Sequence, residues 1–360
     1  AVVVTNLAAG WLAARFGLAA TLYGGLVLQI MALVALKQLD PGWGIAASVG
    51  FVMAVQGMSG AAKDLAKMSS KSAVKILAPA ENGGLFKWVA LLTGSKNAVK
   101  GFGFLLGAGL LATLGFASAV LTMAAVLAAI LLAVWGAMPE GLPKGRKGAK
   151  FAEVFSRSAN VNWLSVARVF LFGARDVWFV VGIPIYFYAV LSDGSAAGNR
   201  SAFFTIGLFM ALWTILYGAV QAAAPRLLGA GRRSEAELIL SAKKWAWLLA
   251  LIPMALCAAA ILAAAPQGWL TATLVIGLLI FGGVFALNSA LHSYLILAFS
   301  KSEQVTMDVG FYYMANAGGR LLGTLLSGLT YQIGGLGLML GTAAAMVAAS
   351  AIAAGRIKPV

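Results

Sequence analysis

Long apolar runs separated by short polar breaks dominate this sequence. Runs of about 20 residues, enough to cross a hydrocarbon core as a helix, lie at 21–39, 43–62, 88–113, 116–138, 161–190, 201–224, 245–265, 269–299, 309–333 and 336–354. A further apolar stretch, Ala1–Ala13, is too short to span, and the chain begins inside it with Ala. The pattern predicts an all-α membrane protein whose first helix and part of whose second are missing. The charged leader and small-residue cleavage site of a signal peptide do not occur at this end.

The breaks are of two kinds, and they alternate. Arg15; Lys63, Lys67, Lys71, Lys75 and Lys87; Lys144, Arg146, Lys147, Lys150 and Arg157; Arg226, Arg232, Arg233, Lys243 and Lys244; Lys301; and Arg356 with Lys358 fall on one side. The opposite breaks, around 40–42, 192–200, 266–268 and 334–335, are short and nearly uncharged. Cytoplasmic loops carry the positive excess, so the expected topology is multi-pass in the cell (inner) membrane, with the C-terminus cytoplasmic.

The longest basic connection, 139–160, divides the chain into an N-terminal half, 1–138, and a C-terminal half, 161–360. With the missing start restored, each half has six helices. Asn6-Leu-Ala-Ala-Gly-Trp-Leu12 aligns with Gln221-Ala-Ala-Ala-Pro-Arg-Leu227, and Lys100-Gly-Phe-Gly103 with Arg320-Leu-Leu-Gly323, at offsets of 215 and 220. Two similar offsets point to duplicated, pseudo-symmetric halves, as in many secondary transporters.

Composition narrows the function classes. Lys and Arg number 26 against 11 Asp and Glu, a net charge of +15, yet only 10% of residues are charged, 61% are hydrophobic and the mean hydropathy is +0.92. Soluble domains carry about 25% charged residues. The cations are few and segregated, so no nucleic-acid partner is expected. One Cys (Cys257) and one His (His292) are too few for a disulfide framework, a zinc site or a thiolate cage for a trivalent metalloid. No phosphate-binding G-x-x-x-x-G-K-[ST] loop occurs. The expectation is a monomeric membrane transporter, not an enzyme and without cofactor, with a small anionic substrate, the bilayer and a proton as its partners.

Gly10-Trp-Leu-Ala-Ala-Arg-Phe-Gly17 resembles the G-x-L-a-D-R-x-G loop between helices 2 and 3 of the major facilitator superfamily. The resemblance implies a gating role for Gly10, Arg15 and Gly17. Ala14 stands where the family usually has Asp. Asp64-Leu-Ala-Lys-Met-Ser-Ser-Lys-Ser-Ala-Val-Lys75, Phe86-Lys-Trp-Val-Ala-Leu-Leu-Thr-Gly-Ser-Lys-Asn-Ala-Val-Lys-Gly101 and Phe170-Leu-Phe-Gly-Ala-Arg-Asp-Val-Trp-Phe179 resemble the ArsJ-type organoarsenical efflux branch. That resemblance implies the major facilitator fold and export of 1-arseno-3-phosphoglycerate, a phosphate-like polyanion.

Inside the apolar runs stand Lys96, Lys100, Arg168, Arg175 and Arg320. At a rise of about 1.5 Å per residue, Lys100, Arg175 and Arg320 fall near the membrane midplane. Each costs roughly 2.5–3.5 kcal/mol there on an insertion scale. Lys96 and Lys100 share one helical face, as do Arg168 and Arg175, and the repeat makes Lys100 and Arg320 equivalent. Two readings are open: a convergent oxyanion site, with Asn97 and Asn316 beside the cations, or structural ion pairs. Asp176 is read as a counter-ion or a proton carrier, and His292 as a buried ring or a second proton carrier. The lysine ladder 63/67/71/75 is expected to face lipid headgroups. The small-residue stripes Gly103/Gly107 and Ala315/Gly319/Gly323/Ser327 are expected to pack against neighbouring helices. Trp178, Tyr186 and Tyr312 are expected to pack or anchor.

Overall fold

The computed structural model describes residues 2–40, 42–78, 84–138, 142, 145, 146, 148, 150–263 and 265–359. Among them every regular element is helical. Helices α1 (Val2–Phe16), α2 (Leu18–Leu36) and α3 (Ile45–Leu77) come first. The element Gly84–Gly136 is broken at Gly115 (φ 72°, ψ 172°), giving α4 (84–114) and α5 (116–136). A positive φ there suits a residue without a Cβ. A short 3₁₀ turn at Phe151–Val154 precedes α6 (Ala159–Leu191), α7 (Ala196–Leu227), α8 (Glu235–Ala263) and α9 (Gly268–Phe299). The element Val305–Ala354 breaks at Gly334 and Gly335, giving α10 (305–333) and α11 (336–354).

Each expected span is a helix. The largest differences lie at basic ends, where α3 runs on to Leu77 and α8 starts at Glu235. Charge ends the hydropathy signal there, but Ala, Leu, Met and Lys continue to favour the helix. Helix α6 contains a five-residue π turn, Trp178–Gly182, closed by Ile183 N–H donating to the Trp178 carbonyl. Pro184 follows. A proline lacks the N–H and its ring clashes with the carbonyl four residues back, so the wider turn accommodates it.

The chain forms two compact units. One comprises Ala1–Ala78, Gly103–Arg157 and Ser300–Met314; the other comprises Pro79–Phe102, Ser158–Phe299 and Ala315–Val360. In the first, α1, α2 and α3 pack together, and α1 crosses the start of α10, where a Cβ on Gly10 would lie 2.9 Å from the Thr306 carbonyl and 3.1 Å from the Gly310 Cα. In the second, α4 crosses α7 more closely still, Gly94 and Ala98 against Gly218 and Ala222, where a Cβ on Gly94 would lie 2.4 Å from the Ala222 nitrogen. The repeat relates α1 to α7 and α10 to α4, so the two crossings pair the same repeat partners.

The core of the second unit is aromatic. Trp178 meets Trp213 and Phe281 edge-on at 5.4 Å, Trp213 stacks on Tyr217 at 5.6 Å, and Phe172 lies 5.1 Å from Phe285. The Trp213 indole N–H donates to the Leu278 carbonyl at 2.8 Å. Trp178, Tyr186 and Tyr312 are all buried, as expected for packing residues. Large apolar side chains such as Leu132, Phe203, Leu262 and Ile333 stand exposed, which suits a surface bathed in lipid. This is a multi-pass membrane protein.

Candidate functional site

Helix α6 carries the site, and its spacing explains why. Arg168, Phe172 and Arg175 lie at i, i+4 and i+7, on one helical face. Both guanidiniums flank the Phe172 ring, with Cζ 3.7 Å from its centroid for Arg168 and 5.0 Å for Arg175. Small residues bring α10 against this helix. A Cβ on Gly319 would strike the backbone of Val169, and one on Gly323 the backbone of Gly173. One turn further, Ser327 Oγ accepts from the Gly182 N–H at 3.1 Å. The stripe Ala315/Gly319/Gly323/Ser327 therefore packs as expected. The Gly103/Gly107 stripe does not: among the described residues no atom lies within 4 Å of a Cβ on either. The close face of α4 is Gly94/Ala98/Gly101 instead.

The close approach of α10 delivers Arg320 to Asp176. The carboxylate is 1% exposed and holds two guanidiniums. Its Oδ1 accepts from Arg175 Nε at 2.7 Å and also from Arg175 Nη2, and its Oδ2 accepts from Arg320 Nε at 2.8 Å. The Arg175 side chain is 13% exposed and that of Arg320 is 50% exposed. Of the deep cations, Arg175 and Arg320 share this one buried acid, leaving a net charge of +1 on the three groups. Charges in low dielectric persist only when paired and hydrogen-bonded, and Asp176 supplies that pairing.

Arg168 belongs to a neighbouring polar node. The Ser289 hydroxyl, fully buried on α9, accepts from Arg168 Nη1, Tyr217 Oη and Gln221 Nε2, each at 3.1 Å. Gln221 Oε1 accepts in turn from Asn97 Nδ2 at 2.6 Å. The node therefore ties α4, α6, α7 and α9 together. His292 lies one turn beyond Ser289, fully buried near Arg168, and its two ring nitrogens have no hydrogen-bond partner among the described residues. Asn316 is half-buried, with its Nδ2 unpartnered among the described residues. Lys96 and Lys100 stand on α4 with exposed side chains while Asn97 turns inward. Tyr217, Gln221 and Ser289 were not expected as site residues. Only Gln221 carried a signal, through its place in the repeat alignment.

A second polar cluster lies in the other unit. Gly17 ends α1 with φ 92°, and Arg15 is exposed, its guanidinium 5.2 Å from the Trp11 ring. The Arg146 N–H donates to the Ala14 carbonyl, so the basic connection docks on this turn. Ala14 is apolar, and α3 carries a buried acid, Asp64. It accepts from Thr5 Oγ1 at 2.6 Å and Lys67 Nζ at 2.7 Å, and Lys67 also donates to Asn6 Oδ1. Lys67 lies 4.3 Å from the centroid of the Tyr313 ring, and Lys71 donates to the Tyr313 hydroxyl at 3.2 Å. Lys71 is only 2% exposed. The expected headgroup-facing ladder is corrected here, because its two middle lysines point into protein; Lys63 is exposed and Lys75 half-buried.

No protein-family model matches the sequence, and no curated protein does. Solved structures do. The chain superposes on a major facilitator superfamily transporter, FucP, in the outward conformation, with TM-score 0.75 and 14% identity over 99% of this chain and 87% of that one. It matches a bacterial homologue of the iron transporter ferroportin in an outward-facing state, with TM-score 0.76 and 14% identity over the same shares. It also matches the human organic anion transporter MFSD10 (TETRAN), with TM-score 0.73 and 16% identity over 98% of this chain and 81% of that one. The long helices, the glycine-lined crossings and these superpositions together show that the chain has the major facilitator fold.

Proposed function

We propose that this chain is a secondary efflux transporter that exports an organoarsenical anion, 1-arseno-3-phosphoglycerate, by alternating access, and so confers arsenate resistance. One observation carries the reading: two arginines converge on a single buried carboxylate inside apolar helices. The surplus positive charge suits a guest with several negative oxygens, which a guanidinium grips through two parallel hydrogen bonds. A pentavalent arsenate ester is such a guest and needs no thiols. The halves 1–138 and 161–360 would rock about the midplane site, in the inner membrane with the basic connections and the C-terminus cytoplasmic. An inside-negative potential drives an anion outward at about 2.3 kcal/mol per charge per 100 mV.

A broader reading, a carrier of another organic phosphate or carboxylate, draws support from the fold shared with an organic anion transporter. Inverted vesicles separate the two. Accumulation of labelled arseno-phosphoglycerate, lost in Arg175→Gln and Arg320→Gln, supports the arsenical reading. Accumulation of 3-phosphoglycerate alone supports the broader one, and unimpaired transport by both variants contradicts the site.

A further inference from the structure

Four cations of the second unit stand where its helices leave the apolar layer. Lys243 and Lys244 come just before the run 245–265 of α8, and Arg356 and Lys358 just after the run 336–354 of α11. Trp163 stands at the start of the run 161–190 of α6. The fold brings these three helix ends together. A Cβ on Gly355 would lie 3.5 Å from Lys243 Cε, so the lysine stem passes along the turn that ends α11. The Arg356 guanidinium lies 5.9 Å from the Trp163 ring, within cation–π range. Asn160 pins the tail to α6: its Nδ2 donates to the Lys358 carbonyl at 2.8 Å, and its Oδ1 accepts from the Lys358 N–H at 3.1 Å.

These charges differ from those described above. Arg175, Arg320 and Lys67 each meet a carboxylate. Lys243, Lys244, Arg356 and Lys358 are exposed and form no ion pair among the described residues. The nearest acid before them on α8 is Glu237, about 9 Å back by helical rise, and it accepts from the Ser234 N–H and hydroxyl. Like charges gathered without a counter-ion call for an anion.

Next to them, along the membrane-facing surface, the side chains are apolar. Trp247 and Leu251, one and two turns on from Lys243, are 44% and 55% exposed, and Ile352, one turn before Arg356, is 58% exposed. Leu251 also lines an apolar groove of about 420 Å³ between α8 and α9, with Ala255, Ile276 and Ile280. Leu251 and Ala255 lie about 12 and 18 Å from Lys243 by helical rise, which reaches the midplane of a hydrocarbon core about 30 Å thick. Cations at the boundary, tryptophans beside them and an apolar path beyond match the shape and charge of a phospholipid with a negative headgroup. We infer that this corner of the second unit is a discrete site for one anionic phospholipid. Its phosphate lies on Lys243 and Arg356, with Lys244 and Lys358 beside them, and an acyl chain follows Trp247 and Leu251 into the groove. The lipid bridges α6, α8 and the tail of α11, and so braces the helix that carries Arg175 and Asp176.

Native mass spectrometry of the full chain tests this, with phosphatidylglycerol and phosphatidylcholine of the same acyl chains as probes. The wild type should bind a first phosphatidylglycerol more tightly than phosphatidylcholine. Lys243→Gln/Arg356→Gln should weaken that first binding about thirtyfold, from about fivefold for each cation near the surface, and leave phosphatidylcholine unchanged. Arg226→Gln/Arg232→Gln removes the same charge from other exposed positions of the unit and should leave both lipids unchanged. Benzoylphenylalanine at Leu251 should crosslink to phosphatidylglycerol in preference to phosphatidylcholine, which decides the matter if the double variant does not fold. Equal affinity of the wild type for the two lipids, equal losses in the two double variants, or displacement of the lipid by glycerol 3-phosphate overturns the inference.

Discussion

Ser289→Ala tests whether the polar node is an energetic hub. The substitution removes one oxygen from a fully buried site and takes the acceptor from three donors at once. A hydrogen bond to a charged group contributes about 1.5–3 kcal/mol, which covers Arg168. Neutral interhelical bonds in a membrane protein average about 0.6 kcal/mol, which covers Tyr217 and Gln221. The expected loss is therefore about 3 kcal/mol, against about 0.6 kcal/mol for Tyr217→Phe. The assay is equilibrium unfolding in mixed micelles, followed by the fluorescence of Trp178 and Trp213, which pack on each other and on Tyr217. Because the two residues share one bond, the double variant should lose less than the sum of the singles. A Ser289→Ala loss no larger than that of Tyr217→Phe would refute the hub.

Other predictions follow from the packing. Gly323→Val places side-chain atoms on the Gly173 backbone and should cost about 2–3 kcal/mol in the same unfolding assay, whereas Gly103→Ala, facing open space, should be nearly neutral. Gly17→Ala forces a Cβ into φ 92° and should cost about 1–2 kcal/mol. Asp64→Asn removes the charge that holds Lys67. It should raise the labelling rate of a cysteine placed at Asn6, measured against a Thr306 cysteine as reference.

Much of the fold was legible because membrane helices must be both long and apolar. The breaks at Gly115 and at Gly334–Gly335 showed as dips between runs, and they are real turns. Hydropathy reports lipid contact, not helicity, and so it missed the polar end of α3. The i, i+4 spacing of Lys63, Lys67, Lys71 and Lys75 showed a shared face but not its direction. Asp64, three residues before Lys67, was the sign that this face turns inward.

The deep arginines were legible for the same reason: charge inside an apolar run has few explanations. The convergence of Arg175 and Arg320 depends on the close approach of α10 at Gly319 and Gly323, and their sharing of Asp176 on side-chain geometry that no spacing encodes. Ser289 and Tyr217 left no trace, because a lone hydroxyl in an apolar run has no period. Lys96 and Lys100 shared a face with each other, but spacing along one helix does not place them beside another.

The most direct test of the central claim uses arsenic itself as the label. A complex of the full chain with a hydrolytically stable organic arsonate should show an anomalous-scattering peak within hydrogen-bonding distance of the Arg320 terminal nitrogens and Arg175, and Arg320→Gln should lose it. A peak elsewhere, or one that survives in Arg320→Gln, would contradict the account.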